Sequence, residues 1–351
     1  MVRAPWWRAD RFEPRLPALK ARAEMTAATR AFFAESGFLE VETPALQRSP
    51  GLEPHLRAFS TELIGANSED RATAYLHTSP EYAMKKLLVA GLPRIFQLAR
   101  VFRNEERSAA HHPEFTMLEW YRAGVGYQDL LDDLRGLFAA IADQMANGTV
   151  MTFDSKQCDP RADLQVLTVA DAFAKHAQID LLATMDDPAN PDPRPLADEA
   201  ERQGFRCASD DRWDDVFFRI FLDKIEPKLG LDSPTVLTDY PASMAALARV
   251  KSDDPRLCER FEVYVCGLEL ANAFGELTDA DEQRRRFDAD LALRQARYGD
   301  TLPIDEDFLE ALEHGMPETA GIALGFDRLV MLATGSPTVE DVLWAPVFDP
   351  A

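Results

Sequence analysis

The spacing of apolar and polar residues changes period several times along the chain, and each change marks an element. LKARAEMTAATRAFFAES, from Leu19 to Ser36, has helical spacing, and Gly37 follows where a left-handed C-cap would sit. FLEV reads as a strand that stops by Pro44. LHTSPEYAMKKLLVAG, residues 76–91, predicts a helix capped by Ser79, with Pro80 at its first position and Glu81 in its first turn. IFQLARVFRNE and PEFTMLEWY each alternate with period two, and the small and histidine residues between them predict the loop of a hairpin. Further on, FEVYVCG reads as a strand, QRRRFDADLALRQARYG as a helix, and GIALGF as a strand leading into the helix DRLVMLATG.

Between these lies a different stretch. Four prolines fall between Asp186 and Pro195, inside otherwise helical territory that runs to about Leu229, so residues from about 150 to 235 read as a helical insertion. Strands and helices mix without regular alternation and the strands pair as hairpins. The fold class predicted is α+β, an antiparallel sheet flanked by helices in a single domain spanning residues 1–351.

Composition narrows the possible functions. With 46% hydrophobic residues in 351 the chain has ample core, and no run of eighteen apolar residues suggests a membrane span. The start, MVRAPWWRADRFEPR, lacks a signal peptide's apolar stretch, and the four cysteines form no C-x-x-C pair, so free thiols in the cytoplasm are expected. The 38 Lys and Arg against 60 Asp and Glu, a net charge of -22, provide no basic stripe for a long nucleic acid.

Against that acidic background, particular charges sit where they need partners. Period two puts Phe115, Met117, Glu119 and Tyr121 on one face of a strand, with Ile95, Gln97, Ala99, Val101 and Arg103 on one face of its neighbour. A carboxylate between Met117 and a tyrosine is costly to bury alone; it calls for a cation, either a ligand or Arg103 or Arg100 in a structural bridge. Glu262, Glu269 and Glu276 recur seven apart, which fits a solvated helical stripe or, if Gly267 makes a bulge, a sheet presenting Glu262 and Glu269 to one Mg²⁺. Arg328 follows Gly325 in the first turn of a helix, where a guanidinium beside unsatisfied N–H groups suits a phosphate.

GFLEVETPAL, FRNEE...HHPEFTMLEWY and GIALGFDRLVML resemble motifs 1, 2 and 3 of the class II aminoacyl-tRNA synthetases, in the lysyl branch. They lie in order over about 23–46, 95–121 and 321–335, and the likeness runs from about Ala23 to Trp344. SPEYAMKKLLVAGLPRIFQLARVFRNEE and ELANAFGELTDADEQRRRF look most like the stand-alone members that ligate lysine, in its (R)-β form, onto a lysine of translation elongation factor P. The resemblance implies a homodimer that binds ATP and Mg²⁺. Arg103 would hold the α-phosphate and Arg328 the γ-phosphate as the catalytic pair, with Phe115 stacked on adenine, Glu105 on the adenine side, Asn104, His112, Glu269 and Leu270 around the nucleotide, and Gly325 giving it room. Glu262 and Glu269 would bind the metal. Glu276 and Tyr121 would grip the lysine ε-ammonium; Ser79, Pro80, Glu81 and Glu119 would face the other amino group, with Asn272 and Ala323 lining the pocket.

The chain departs from the tRNA-charging pattern in three ways. His112 stands where the family has Asn before the motif 2 proline, and an imidazole replaces that hydrogen bond but not its geometry. Ala323 stands where lysyl-tRNA synthetases usually have Gly; the elongation factor P ligases share the alanine, whose methyl shrinks the pocket. Motif 1 begins within the first forty residues, leaving no space for an anticodon-binding barrel of roughly 100 residues. Three functions remain at this point: a ligase acting on a protein, a truncated lysyl-tRNA synthetase, and a silent paralogue that senses lysine.

Overall fold

A computed structural model describes residues 5–67, 69–145 and 150–347; the first four residues of the N-terminal stretch quoted above lie outside them. Eight strands form one sheet: β1 (Leu39–Glu40), β2 (Arg94–Phe102), β3 (Glu114–Ala123), β4 (Gln165–Thr168), β5 (Thr235–Pro241), β6 (Leu257–Val265), β7 (Leu268–Gly275) and β8 (Thr319–Gly325). Their order is β1-β2-β3-β8-β7-β6-β5-β4. The central neighbours are antiparallel, and β2 and β3 form the predicted hairpin. The two edge strands, β1 and β4, instead run parallel to β2 and β5, so the α+β sheet is mixed rather than purely antiparallel. Both edge strands arrive by long connections rather than tight turns, which leaves the parallel orientation open to them.

Alternation along the strands separates the two faces. Leu118 and Trp120 of β3, Phe261, Val263 and Val265 of β6, and Ala320, Ile322 and Leu324 of β8 join one apolar core. That core is roofed by helices α1 (Leu16–Glu35), α3 (Leu130–Ala142) and α6 (Phe326–Thr334). Helix α1 ends as its sequence predicts, with Gly37 at φ 77° in the left-handed region. On the opposite face, Val101, Met117, Phe115 and Ala323 make a small apolar floor. Helices α2 (Glu81–Val89), α4 (Ala280–Tyr298) and α5 (Glu306–Gly315) wall that face at one end, packed through Tyr82 stacked on Phe308 at 4.8 Å.

The stretch read as a helical insertion does carry helices, Val169–Ala177, Pro193–Arg202 and Trp213–Ile220. It also supplies β4 and the small hairpin Met151–Phe153 with Lys156–Cys158. Its apolar residues share a core with Tyr240, Cys258 and Tyr264 of the main sheet. The proline-rich linker stops at Asp192, whose carboxylate caps a helix that begins with Pro193.

Candidate active site

Two groups of charged side chains gather at the sheet face opposite the main core, and β3, β7 and β8 lead into both. The first group is cationic. Arg103 follows β2; its guanidinium lies 5.3 Å from the centre of the Phe115 ring, and its Nε donates to the Thr78 carbonyl at 3.4 Å. Arg328, in the first turn of α6, donates to the carbonyls of Ala110 at 3.1 Å and Glu269 at 2.7 Å, and one of its nitrogens meets His111 Nε2 at 2.6 Å. Both arginines act on the same two groups. Burial first, then Arg328 and Arg103, drives the His111 imidazole down to about 4, so it is neutral at pH 7 and accepts from Arg328. Burial and Glu262 raise the Glu269 carboxyl to about 7, against Arg328, Arg260 and Arg103. A Cβ added at Gly325 would meet nothing nearer than the Arg328 side chain at 3.6 Å.

Glu262 and Glu269 face the same way without any bulge at Gly267: Tyr264, two residues on from Glu262 and so on the same face of β6, pairs directly with Glu269. Cys266 and Gly267, at φ 54° and 72°, make the two-residue turn between β6 and β7, a backbone twist that suits a hairpin. The register slips one step later: Val263 pairs with Ala271 and Tyr264 with Glu269, leaving Leu270 extra, its side chain in the apolar core. Glu262 is already engaged. Arg260 donates to its Oε1 at 2.6 Å, Tyr240 to its Oε2 at 2.5 Å, and Tyr264 also reaches Oε2. Asn272, opposite Glu262, accepts from Arg260 at 3.3 Å. Among the described residues no three His, Cys, Asp or Glu side chains cluster as a metal site. With Glu262 engaged, Glu269 is the carboxylate of the pair open to a cation, which would draw most of its ligands from a phosphate or water. Glu269 forms no ion pair among the described residues, and its raised carboxyl is the group a metal would neutralise.

The second group is acidic and closed. Glu119 is completely buried, accepting from Ser79 Oγ at 2.6 Å and Tyr121 Oη at 2.9 Å. It pairs with neither Arg103 nor Arg100; two hydroxyls take the place of the cation. Burial and the nearby Glu81 raise its carboxyl to about 8. Ser79 also accepts from the Glu81 backbone N–H at 3.0 Å, so it caps α2, although Pro80 rather than Ser79 is the residue before the first helical turn. Glu276, 1% exposed, is the end of this slot beside Tyr121. A Cβ at Gly321 would collide with both Glu276 Oε1 and the Tyr121 ring, so the strand needs a glycine there to leave room for them. Ala323 sits between Asn272 and Glu119 in register, its methyl on the floor beside Met117.

Lys85 completes the slot. Its ammonium, wholly buried, lies 2.5 Å from Glu81 Oε1 and 2.5 Å from Glu276 Oε2. Those two carboxylates hold it protonated despite its burial. The sequence carried one cue, since Lys85 falls four residues after Glu81 on the same helix face.

Other expected residues lie further out. Asn104 caps the backbone N–H of Glu105 at 3.0 Å, and Glu105, at φ 66°, turns a mostly exposed carboxylate toward Arg57, 3.6 Å away. His112 lies outside the cluster. Its Nδ1 bonds the Glu114 carbonyl at 2.6 Å, its Nε2 faces the Val347 N–H at 3.4 Å, and it lines a separate cavity with Arg22 and Arg100. The neighbouring His111 is the histidine that faces the arginines; two adjacent histidines in a loop gave no sequence cue as to which.

The sequence matches the model of the family described as tRNA synthetases class II (D, K and N) over residues 6–348. The chain belongs to that family. Within this class II family it is 43% identical, over 93% of both chains, to a protein named elongation factor P–(R)-beta-lysine ligase from Pectobacterium carotovorum subsp. carotovorum. Proteins of the same name from Yersinia enterocolitica and Salmonella dublin are 42% and 40% identical, over 94% and 93% of this chain and 94% of each of theirs. The class II assignment accounts for the antiparallel centre of the sheet and for motif 3 continuing from β8 into α6.

Proposed function

We propose that this chain is an AMP-forming ligase: it joins lysine or (R)-β-lysine to ATP as an aminoacyl-adenylate and passes the aminoacyl group to the ε-amine of a lysine on elongation factor P. One observation carries the reading: Arg328 is held against His111 and the Glu269 carbonyl, and Arg103 against Phe115 and the carbonyl of Thr78, the residue before Ser79, which reaches into the slot of Glu81, Glu119, Glu276 and Tyr121. A triphosphate and a diamine need those two environments side by side.

In the first step a carboxylate oxygen of the amino acid attacks the α-phosphorus and pyrophosphate leaves. Arg103 neutralises charge on the α-phosphate, Arg328 holds the departing end, and Phe115 offers a ring face to adenine. Mg²⁺ held by Glu269 and Glu262 would screen the phosphate charges. In the second step the acceptor amine attacks the carbonyl carbon, an amide forms and AMP leaves, with the amine proton released to solvent. Glu276 and Tyr121 hold the ε-ammonium at the far end, so only the carboxylate end reaches the phosphate. No enzyme nucleophile takes part. The same reading includes a cytoplasmic homodimer, which light scattering of the purified chain would test.

The deciding experiment is ATP–pyrophosphate exchange with α-lysine, β-lysine and aspartate in parallel, followed by the intact mass of elongation factor P. Exchange with a lysine and a mass gain of one residue is the expected outcome. Exchange with aspartate alone, or with none, would refute the reading.

A further inference from the structure

The turn that follows Arg103 is held by residues outside the three motifs. Glu105 has φ 66°, a left-handed backbone that a non-glycine residue keeps only where its surroundings fix it. Three bonds fix it here. Asn104 Oδ1 accepts from the Glu105 N–H at 3.0 Å, the Asn104 N–H donates to the Arg57 carbonyl at 2.6 Å, and the Arg103 N–H donates to the Pro113 carbonyl at 2.9 Å. The backbone is settled, but the carboxylate is left open. The Glu105 side chain is 68% exposed, and among the described residues Arg57 alone forms an ion pair with it, at 3.6 Å.

Arg57 is itself anchored. Its Nη1 donates to Asp300 Oδ2 at 3.3 Å, and its guanidinium lies 4.7 Å from the centre of the Tyr298 ring. Both partners come from the end of α4: Tyr298 is its last residue, and Gly299, at φ 72°, closes it and leads to Asp300. Arg294 of the same helix, 3% exposed, lies 3.0 Å from Asp300 and donates to the Leu56 carbonyl at 3.0 Å. Charges therefore alternate along a row of Arg294, Asp300, Arg57 and Glu105, which begins at a buried guanidinium and ends at an exposed carboxylate.

At 3.6 Å the Arg57 contact is longer than a hydrogen bond, so it orients the Glu105 carboxylate without occupying its lone pairs. An anchored acceptor with an open side suits a donor from a ligand. Glu105 stands two residues from Arg103, whose guanidinium faces Phe115, the ring that offers its face to the base. Adenine carries an exocyclic amine, which donates. Guanine carries a carbonyl oxygen at that position, as does hypoxanthine, and a carboxylate repels it.

We infer that Arg57 is a positioning residue for the nucleotide base: backed by Asp300 and Tyr298, it turns the Glu105 carboxylate to accept from the exocyclic amine, and so favours adenine over a base with a carbonyl there. The inference deepens the proposed function and rests on its placing of the base at Phe115. It adds to the nucleotide site a residue that touches neither phosphate nor base.

The test titrates ATP and inosine triphosphate, which has a carbonyl in place of the amine, onto the full chain by calorimetry with Mg²⁺ present, and measures the KM for lysine by ATP–pyrophosphate exchange. Arg57→Met is expected to weaken ATP binding about three- to fivefold while inosine triphosphate binding and the KM for lysine stay within about 1.5-fold. The melting temperature should hold within about 2 °C, because an exposed ion pair adds little to stability. Asp300→Asn should show the same pattern at smaller size, and Arg57→Lys, which keeps the charge, should retain part of the preference for ATP. Glu105→Gln should lose the preference, with no further loss when Arg57→Met is added. Equal losses for the two nucleotides, a loss for lysine as large as that for ATP, or an undiminished preference in Arg57→Met would overturn the role of Arg57. If the wild type binds ATP but supports no exchange with either lysine, the proposed function fails, and the calorimetry still decides Arg57 because it reads binding without turnover. A wild type that binds neither nucleotide overturns both.

Discussion

The two halves of the candidate site handle charge in opposite ways. On the nucleotide side, Arg103 and Arg328 are steadied by carbonyls, a ring face and a neutral histidine, so their positive charge is left for a ligand. In the amino-acid slot the carboxylates are buried and the protein supplies its own counter-ion, Lys85. Phosphates bring high charge and tolerate solvent, so positioned cations suffice. A small diamine has to be distinguished from other amino acids, and that requires desolvated groups whose charge is nearly balanced before it arrives.

Removing the internal counter-ion tests the contrast most severely. Lys85→Met leaves the buried Glu276 and the partly buried Glu81 without their cation and is expected to cost about 3–5 kcal/mol of stability, read by denaturant unfolding. Next in size is Arg103→Ala, which should lower the rate of adenylate formation by about 10²- to 10³-fold while the circular dichroism spectrum and melting temperature hold steady. Comparable unfolding in both variants would erase the distinction between a structural cation and a catalytic one.

A smaller effect follows from Glu119. Its carboxyl, raised to about 8 in the folded chain, stays protonated where an unfolded glutamate has already ionised. Between about pH 4.5 and 8 the unfolded state therefore binds fewer protons, and stability falls as pH rises through that window. Thermal unfolding of the ligand-free protein from pH 5 to 8.5 should show the decline, and Glu119→Gln should flatten it. An unchanged slope in that variant would place the titration on other groups, such as Asp290, raised to about 7. The smallest change is Ala323→Gly. Removing one methyl from the floor should improve use of α-lysine relative to β-lysine by about tenfold or less, measured as the ratio of kcat/KM values.

Much of this arrangement was legible before any coordinates. Period two on β3 put Phe115, Met117, Glu119 and Tyr121 on one face, and β3 does present them together, with Gln97 directly opposite Glu119. The mixture of hairpins and helices gave the α+β class. Periodicity could not reach the Leu270 bulge, because one unpaired residue leaves the same apolar pattern as a bend at Gly267. Nor could it show that hydroxyls rather than an arginine meet Glu119, since Ser79 approaches from forty positions away in the chain.

By itself the sequence determined what is local: where helices stop, which strand residues share a face, and the three motifs that mark the family. Those follow from backbone dihedrals and side-chain alternation, which act over a few residues. Tertiary structure alone decided which charges meet. It turned His111 rather than His112 toward Arg328, set Lys85 between Glu81 and Glu276, and brought Arg57 beside Glu105. Electrostatics and desolvation depend on distance through space, and only the closed fold fixes those distances.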